Sequence, residues 1–195
     1  MKIIITEEQF KQLINEDATS GLIVYHGTNH KIDKFVDDFI GGDQAIDANG
    51  PGIYFSDTEI DSEHFGPIMY TVRLNSNKFL TDKTKKGITP SKAAQLIKLR
   101  KDWQMNAQDW NENPNIGLNM FLRETFNAEE NAKEILLAIW IGYYRYNPLE
   151  FARNCVKLGI DGINVTNHWG GGGSSEHYVV YNPAIIEVLN IKNGD

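Results

Sequence analysis

A single cysteine, Cys155, stands in a chain of 195 residues, so no disulfide can form within it. That fits a reducing compartment, and the apolar setting Phe151-Ala152-Arg153-Asn154-Cys155-Val156 predicts a buried, inert thiol rather than a nucleophile. Long hydrophobic runs are missing too. The first residues offer one lysine and a short Ile3–Ile5 run before Glu7 and Glu8, without the apolar region of a secretory signal, and no other window approaches a membrane span. A cytoplasmic protein is therefore expected. Positive charge is in deficit, with 19 Lys and Arg against 26 Asp and Glu and a net charge of −7. Tight binding to a nucleic acid backbone calls for the opposite balance. The one basic cluster, Lys83, Lys85, Lys86, Lys92, Lys98, Arg100 and Lys101, reads as a solvated helix face.

Metal and phosphate signatures are lacking as well. His26, His30, His64, His168 and His177 match no standard ligand spacing, and the lone cysteine has no partner, so no metal is expected. Asp57–Ser62 looks like a calcium loop but puts Ser62 where glycine is required and Ile68 where the bidentate glutamate belongs. The glycine run Gly170–Gly173 is followed by a strand pattern, whereas a phosphate loop leads into a helix.

What the chain does have is a 41% hydrophobic, 11% aromatic composition, enough for one domain with a packed core. Lys2–Ile5 reads as a strand, and Thr6-Glu7-Glu8-Gln9 as a capping box opening a short helix. Leu22–His26 is a β-branched and aromatic run, a strand carrying His26 at its end. Asp37–Gly52 has the composition of a surface loop bordering Ile53-Tyr54-Phe55. Ile68–Leu74 alternates strictly, as a strand does, with a short partner at Lys78–Leu80. From Ser91 to about Tyr146 the apolar spacing is helical. Pro148 then opens a helix that ends at Gly159, a residue suited to the left-handed C-cap position. Ile160–Val165 and Tyr178–Tyr181 return to strand, Asn182-Pro183 ends the latter, and Ile185–Leu189 forms a final strand. Gly170–Ser175 is expected to be a flexible loop.

Three segments far apart in this order carry polar side chains at strand ends: Tyr25-His26-Gly27-Thr28, then Gly52-Ile53-Tyr54-Phe55-Ser56, then Ser175-Glu176-His177-Tyr178-Val179-Val180-Tyr181. Together they resemble the His-Tyr-Glu class of ADP-ribosyltransferases, the diphtheria-toxin-like and poly(ADP-ribose)-polymerase-like domains and their small phage or polyvalent-protein relatives. The resemblance covers about residues 22–74 and 147–189. It implies an α+β ADP-ribosyltransferase fold: two small, mostly antiparallel sheets around an NAD cleft, with a helical lobe inserted at about 82–146 in a single domain.

The same resemblance implies NAD as substrate, with no metal. It gives His26 a ribose hydroxyl, the backbone of Gly27 the nicotinamide carboxamide, and Thr28 a further hydroxyl contact beside Tyr25. Tyr54 stacks on nicotinamide, Phe65, eleven residues later, closes the sandwich, and Ser56 lines the pocket. The family's catalytic glutamate directly precedes the aromatic of its last strand. Here His177 holds that place and Glu176 lies one residue earlier. Side chains alternate along a strand, so either a bulge turns Glu176 inward or His177 replaces the acid and Glu176 sits in an exposed loop. The implied activity transfers ADP-ribose to a macromolecule, a protein before a nucleic acid given the acidic charge. The setting implied is that of a phage effector or toxin acting in a host cytoplasm. A binding module without turnover and an NAD glycohydrolase are the other functions open to such a chain. The loop Thr166–Gly170, with His168 and Trp169, is the expected target-recognition element.

Overall fold

The computed structural model describes residues 21–40, 49–102, 114–145, 147–169 and 173–193. The expected strand at Lys2–Ile5 and the helix after it lie outside these residues, as do 41–48 of the 37–52 loop and Gly170–Gly172. The strands are β1 (Leu22–Thr28), β2 (Ile53–Ser56), β3 (Ile68–Leu74), β4 (Phe79–Thr81), β5 (Gly162–Trp169), β6 (Gly173–Val180) and β7 (Ile186–Asn193). The helices are α1 (Glu59–Glu63), α2 (Pro90–Lys98), α3 (Pro114–Ala128), α4 (Ala132–Ile139), which runs on into a π-helical turn at Trp140–Tyr144, and α5 (Pro148–Lys157). Among the described residues no helix is long and apolar enough to cross a membrane.

The α+β class holds, but the strands form one mixed sheet in the order β4-β5-β6-β2-β1-β3-β7, not two small sheets. The reason is that β2 pairs on both edges, with β6 over four residue pairs and with β1 through Tyr25 and Ser56. That second junction is narrow. Against the seven pairs joining β1 to β3, a single register pair leaves the sheet as two halves, β4-β5-β6-β2 and β1-β3-β7, meeting along a seam.

Local chemistry explains several helix ends. Thr58 caps α1 by accepting from the Asp61 amide, Thr89 caps α2 from Lys92, and Asn131 caps α4 from Glu134. Pro148 occupies the first turn of α5, and Gly159 beyond its end has φ +73°, the left-handed conformation its position predicted. Helices α2, α3 and α4 all lie between β4 and α5 in the chain, where the sequence placed its helical stretch. They bury Ala93, Leu96, Ile97, Leu118, Leu122, Ile135, Leu136 and Ile139 in the same core as Phe151, Cys155, Ile163 and Val179.

Two expectations need correction at the C-terminal hairpin. Thr166–Trp169 is not a loop but the end of β5, and Gly173–Ser175 is the start of β6; Thr166 pairs with Glu176 and Trp169 with Gly173. A β-ladder is made by backbone groups, so residues without bulky side chains extend it once a partner strand is beside them. The side chains of His168 and Trp169 lie outside the described residues.

Candidate functional site

The three polar segments end on neighbouring strands, with β6, β2 and β1 side by side in the sheet. Tyr25, Ser56 and His177 share one row, because Tyr25 pairs with Ser56 and Ser56 with His177. Side chains of paired residues project to the same face and alternate along each strand. Tyr25, Tyr54, Ser56 and His177 therefore belong to the face covered by α1, while His26, Phe55, Tyr178 and Glu176 belong to the opposite face.

His26 spans the seam. Its Nδ1 lies 2.8 Å from the Tyr54 carbonyl oxygen. A carbonyl can only accept, so Nδ1 carries the hydrogen, and in the neutral ring Nε2 is left as the acceptor. Burial pushes the His26 pKa below its ordinary value, with the Tyr54 carbonyl opposing this in part, so the ring is neutral at neutral pH. Aromatic rings fix its plane: Phe35 at 5.3 Å, Phe55 at 5.5 Å and Tyr70 at 6.4 Å between centroids. Tyr70 is fully buried and ties down the chain beside them, its hydroxyl bonding the Ile32 amide and carbonyl.

Gly27 is needed for packing. A Cβ there would stand 1.8 Å from the Ser62 carbonyl oxygen of α1, and the Ser62 hydroxyl donates to the Tyr25 carbonyl at 3.0 Å. Helix α1 is thus clamped directly over β1. The Thr28 hydroxyl accepts from the His30 amide at 3.2 Å and closes a local turn. The Tyr54 hydroxyl donates to the Gly50 carbonyl, which holds the ring against the 49–52 segment. Phe65, just past α1, is half exposed, at 51%.

Beside Tyr54 on the α1 face, a polar cluster surrounds Ser56. Its hydroxyl lies 3.4 Å from the Thr58 hydroxyl and 3.5 Å from Asp61 Oδ2. The same Asp61 oxygen is 3.8 Å from His177 Nε2. The Ser175 hydroxyl, although outside hydrogen-bonding geometry, is first among the neighbours that hold the Asp61 carboxyl below its ordinary range; partial burial opposes this, and Thr58 and His177 add to it. His177 is buried at 6% exposure, whereas the Asp61 side chain is 23% exposed.

Glu176 stands elsewhere. The β6 register runs from Gly173 to Val180 without a shift, so no bulge turns Glu176 toward Tyr54, and it is a strand residue rather than part of an exposed loop. Its Oε1 is 2.7 Å from Lys83 Nζ and 3.3 Å from the Thr166 hydroxyl. Its backbone amide donates to the Asp57 carboxylate at 3.1 Å, and its carbonyl accepts from the Asp57 amide. The nearby carboxylate raises the Lys83 pKa.

Sequence reading missed two of these residues, Asp61 and Lys83. Asp61 had a visible signal, since Thr58-Glu59-Ile60-Asp61 has capping-box spacing and announces the helix that carries it. Lys83 had none, because its pairing with Glu176 depends on β4 lying parallel to β5. Among the described residues no group of three or more His, Cys, Asp or Glu is placed to hold a metal. No known protein family matches the chain. No curated protein matches it either. Among solved structures, one described as the crystal structure of an anti-CRISPR protein aligns over 88% of this chain and 97% of its own length, at 10% identity and a TM-score of 0.41.

Proposed function

We propose that the protein splits NAD at the bond between nicotinamide and ribose and transfers ADP-ribose to a macromolecule, a protein in the first instance. The observation that carries this reading is the seam: three segments far apart in the chain lie on adjacent strands, and the His26–Tyr54 link crosses where the β1–β2 ladder narrows to one pair. Nε2 of a neutral His26 accepts from a ribose hydroxyl. The β1 edge at Gly27, beyond the Tyr25–Ser56 pair, offers its backbone to the carboxamide. Tyr54 and the half-exposed Phe65 supply aromatic surface for the nicotinamide ring.

In the reaction, the bond from nicotinamide N1 to ribose C1 breaks, and its electron pair goes to nicotinamide, which leaves neutral. The acceptor's nucleophile forms the new bond to C1 and gives up its proton. Positive charge on the sugar is greatest midway, so a carboxylate positioned there lowers the barrier. The family resemblance, the acidic charge and the compact chain support an effector acting in a cytoplasm that supplies NAD.

One observation favours a second reading, a binding module without turnover. Glu176 is tied to Lys83 and Thr166 on the face opposite Tyr54, the face to which His26 also projects, while His177 occupies the family's acid position. Incubating the purified chain with adenine-labelled NAD, with and without a bacterial lysate, separates these accounts. Label on a macromolecule together with free nicotinamide supports the transferase. Nicotinamide release without label makes the protein a glycohydrolase. Binding of NAD with no release supports the second reading.

A further inference from the structure

We infer that the segment before β1 docks on β7: Lys2–Ile5 pair with its free edge, and Phe10, Leu13 and Ile14 cover the apolar face beside it. The core stops one strand short. Val24 pairs with Val72 and Val72 with Val188, and the first two are fully buried while Val188 is 40% exposed. In the next such row Tyr70 pairs with Ile191, fully buried against 41% exposed. Paired residues share a face, so Val188 and Ile191 carry the buried rows of β1 and β3 out into solvent. The backbone is open there as well, since β7 ends the sheet and no described strand pairs with its outer edge. An apolar edge strand of this length invites a covering element.

Residues 1–20 start from the right place. Gly21 enters β1 beside Arg73 and Asn75, and the Asn75 amide donates to the Ile185 carbonyl just before β7, so the segment leaves the sheet at the end where β7 begins. A strand added beyond β7 lies three strand spacings from β1, about 14–15 Å. With Glu7–Ile14 wound as the helix that the capping box announces, about 12 Å long, Asn15–Ser20 add about 20 Å of extended chain. The span is therefore covered. In an added strand Ile3 and Ile5 share a face and continue the rows that end at Val188 and Ile191. A second copy of the chain fits this edge less well. Thr71 pairs with Asn190 and Val72 with Val188, which leaves Leu189 over as a bulge. A four-residue strand fits to one side of that bulge, whereas two β7 strands laid edge to edge must accommodate two bulges together with Glu187 and Lys192. The tether also holds Lys2–Ile5 at an effective concentration of about millimolar.

The test is amide hydrogen exchange followed by NMR on the purified full chain, wild type against a variant carrying both Ile4→Pro and Ile5→Pro. Consecutive amides of a strand point to opposite edges, so one of the two prolines removes a ladder hydrogen bond in any register, and both lie outside the described core. The β7 amides that point away from β3 are expected to exchange about tenfold or more faster in the variant than in the wild type, while the amides of β1 change by less than about twofold. Equal exchange of those β7 amides in the two chains overturns the assignment. So does a wild-type dimer whose β7 protection is lost on dilution, because a second copy then covers the edge.

Discussion

The Nδ1 of His26 lies 2.8 Å from the carbonyl oxygen of Tyr54, and this side-chain bond takes over where the backbone pairing of β1 with β2 stops at Tyr25 and Ser56. One residue thereby joins the two halves of the sheet and is left with its other ring nitrogen as an acceptor.

Stability should depend on pH through this ring. The folded protein holds the His26 pKa below its ordinary value of 6.5, so below that pH the unfolded chain binds a proton that the folded chain excludes. The His26 contribution is therefore complete above the unfolded pKa and is lost as pH falls from about 6.5 toward the depressed folded value. Urea denaturation from pH 7.5 to 5 should show this slope in the wild type and a shallower one in His26→Asn, where nothing titrates at that position. Equal slopes would contradict it.

Two glycines should respond to alanine for different reasons. In Gly27→Ala the new Cβ meets the Ser62 carbonyl at 1.8 Å, so α1 must lift from β1. At Gly159 a Cβ meets nothing within 4 Å, and the penalty is the positive φ alone. Gly159→Ala should cost about 1–2 kcal/mol, and Gly27→Ala more, about 2–4 kcal/mol, as read by chemical denaturation. The reverse order would mean that α1 is not clamped on β1.

Much of this arrangement was legible in the chain. Strict alternation placed β3, the β-branched run placed β1, and Pro148 with Gly159 bracketed α5. Backbone pairing was not legible where side chains are small: Gly173–Ser175 extend β6 although their composition reads as loop. Nor was the joining of the halves into one sheet, because a single pair at Tyr25 and Ser56 leaves no mark in hydrophobic pattern. Within the candidate site, the segments were visible but their faces were not. Alternation states that Glu176 and His177 point apart, yet only the register with Ser56 says which of them accompanies Tyr54.

The helical stretch depends on a buried hydroxyl. Tyr144 is fully buried in the π-helical turn, donates to the Leu96 carbonyl of α2 and accepts from the Asn154 amide of α5 at 3.2 Å. Tyr144→Phe keeps the ring but removes the acceptor of the Asn154 amide and leaves the Leu96 carbonyl only its bond from the Leu99 amide, at a cost of about 1–3 kcal/mol in denaturant. A change below about 0.5 kcal/mol would show that the hydroxyl does not join these helices.

Cys155 should be silent in the native state. It is fully buried in α5, and desolvation holds its thiol pKa well above the ordinary value. A thiol reagent at pH 8 should label the native chain far more slowly than the chain in denaturant, which should take up one equivalent. Rapid native labelling would place Cys155 at the surface.

The most direct test of the central claim is nicotinamide release from NAD by the wild type and by His26→Asn. Asparagine retains a donor near the Nδ1 position for the Tyr54 carbonyl and removes the Nε2 acceptor, so it separates the structural bond from the ligand contact. The account predicts release by the wild type and a loss of about a hundredfold in kcat/KM with His26→Asn still folded. Release that is unchanged in the variant, or absent in the wild type, would contradict it.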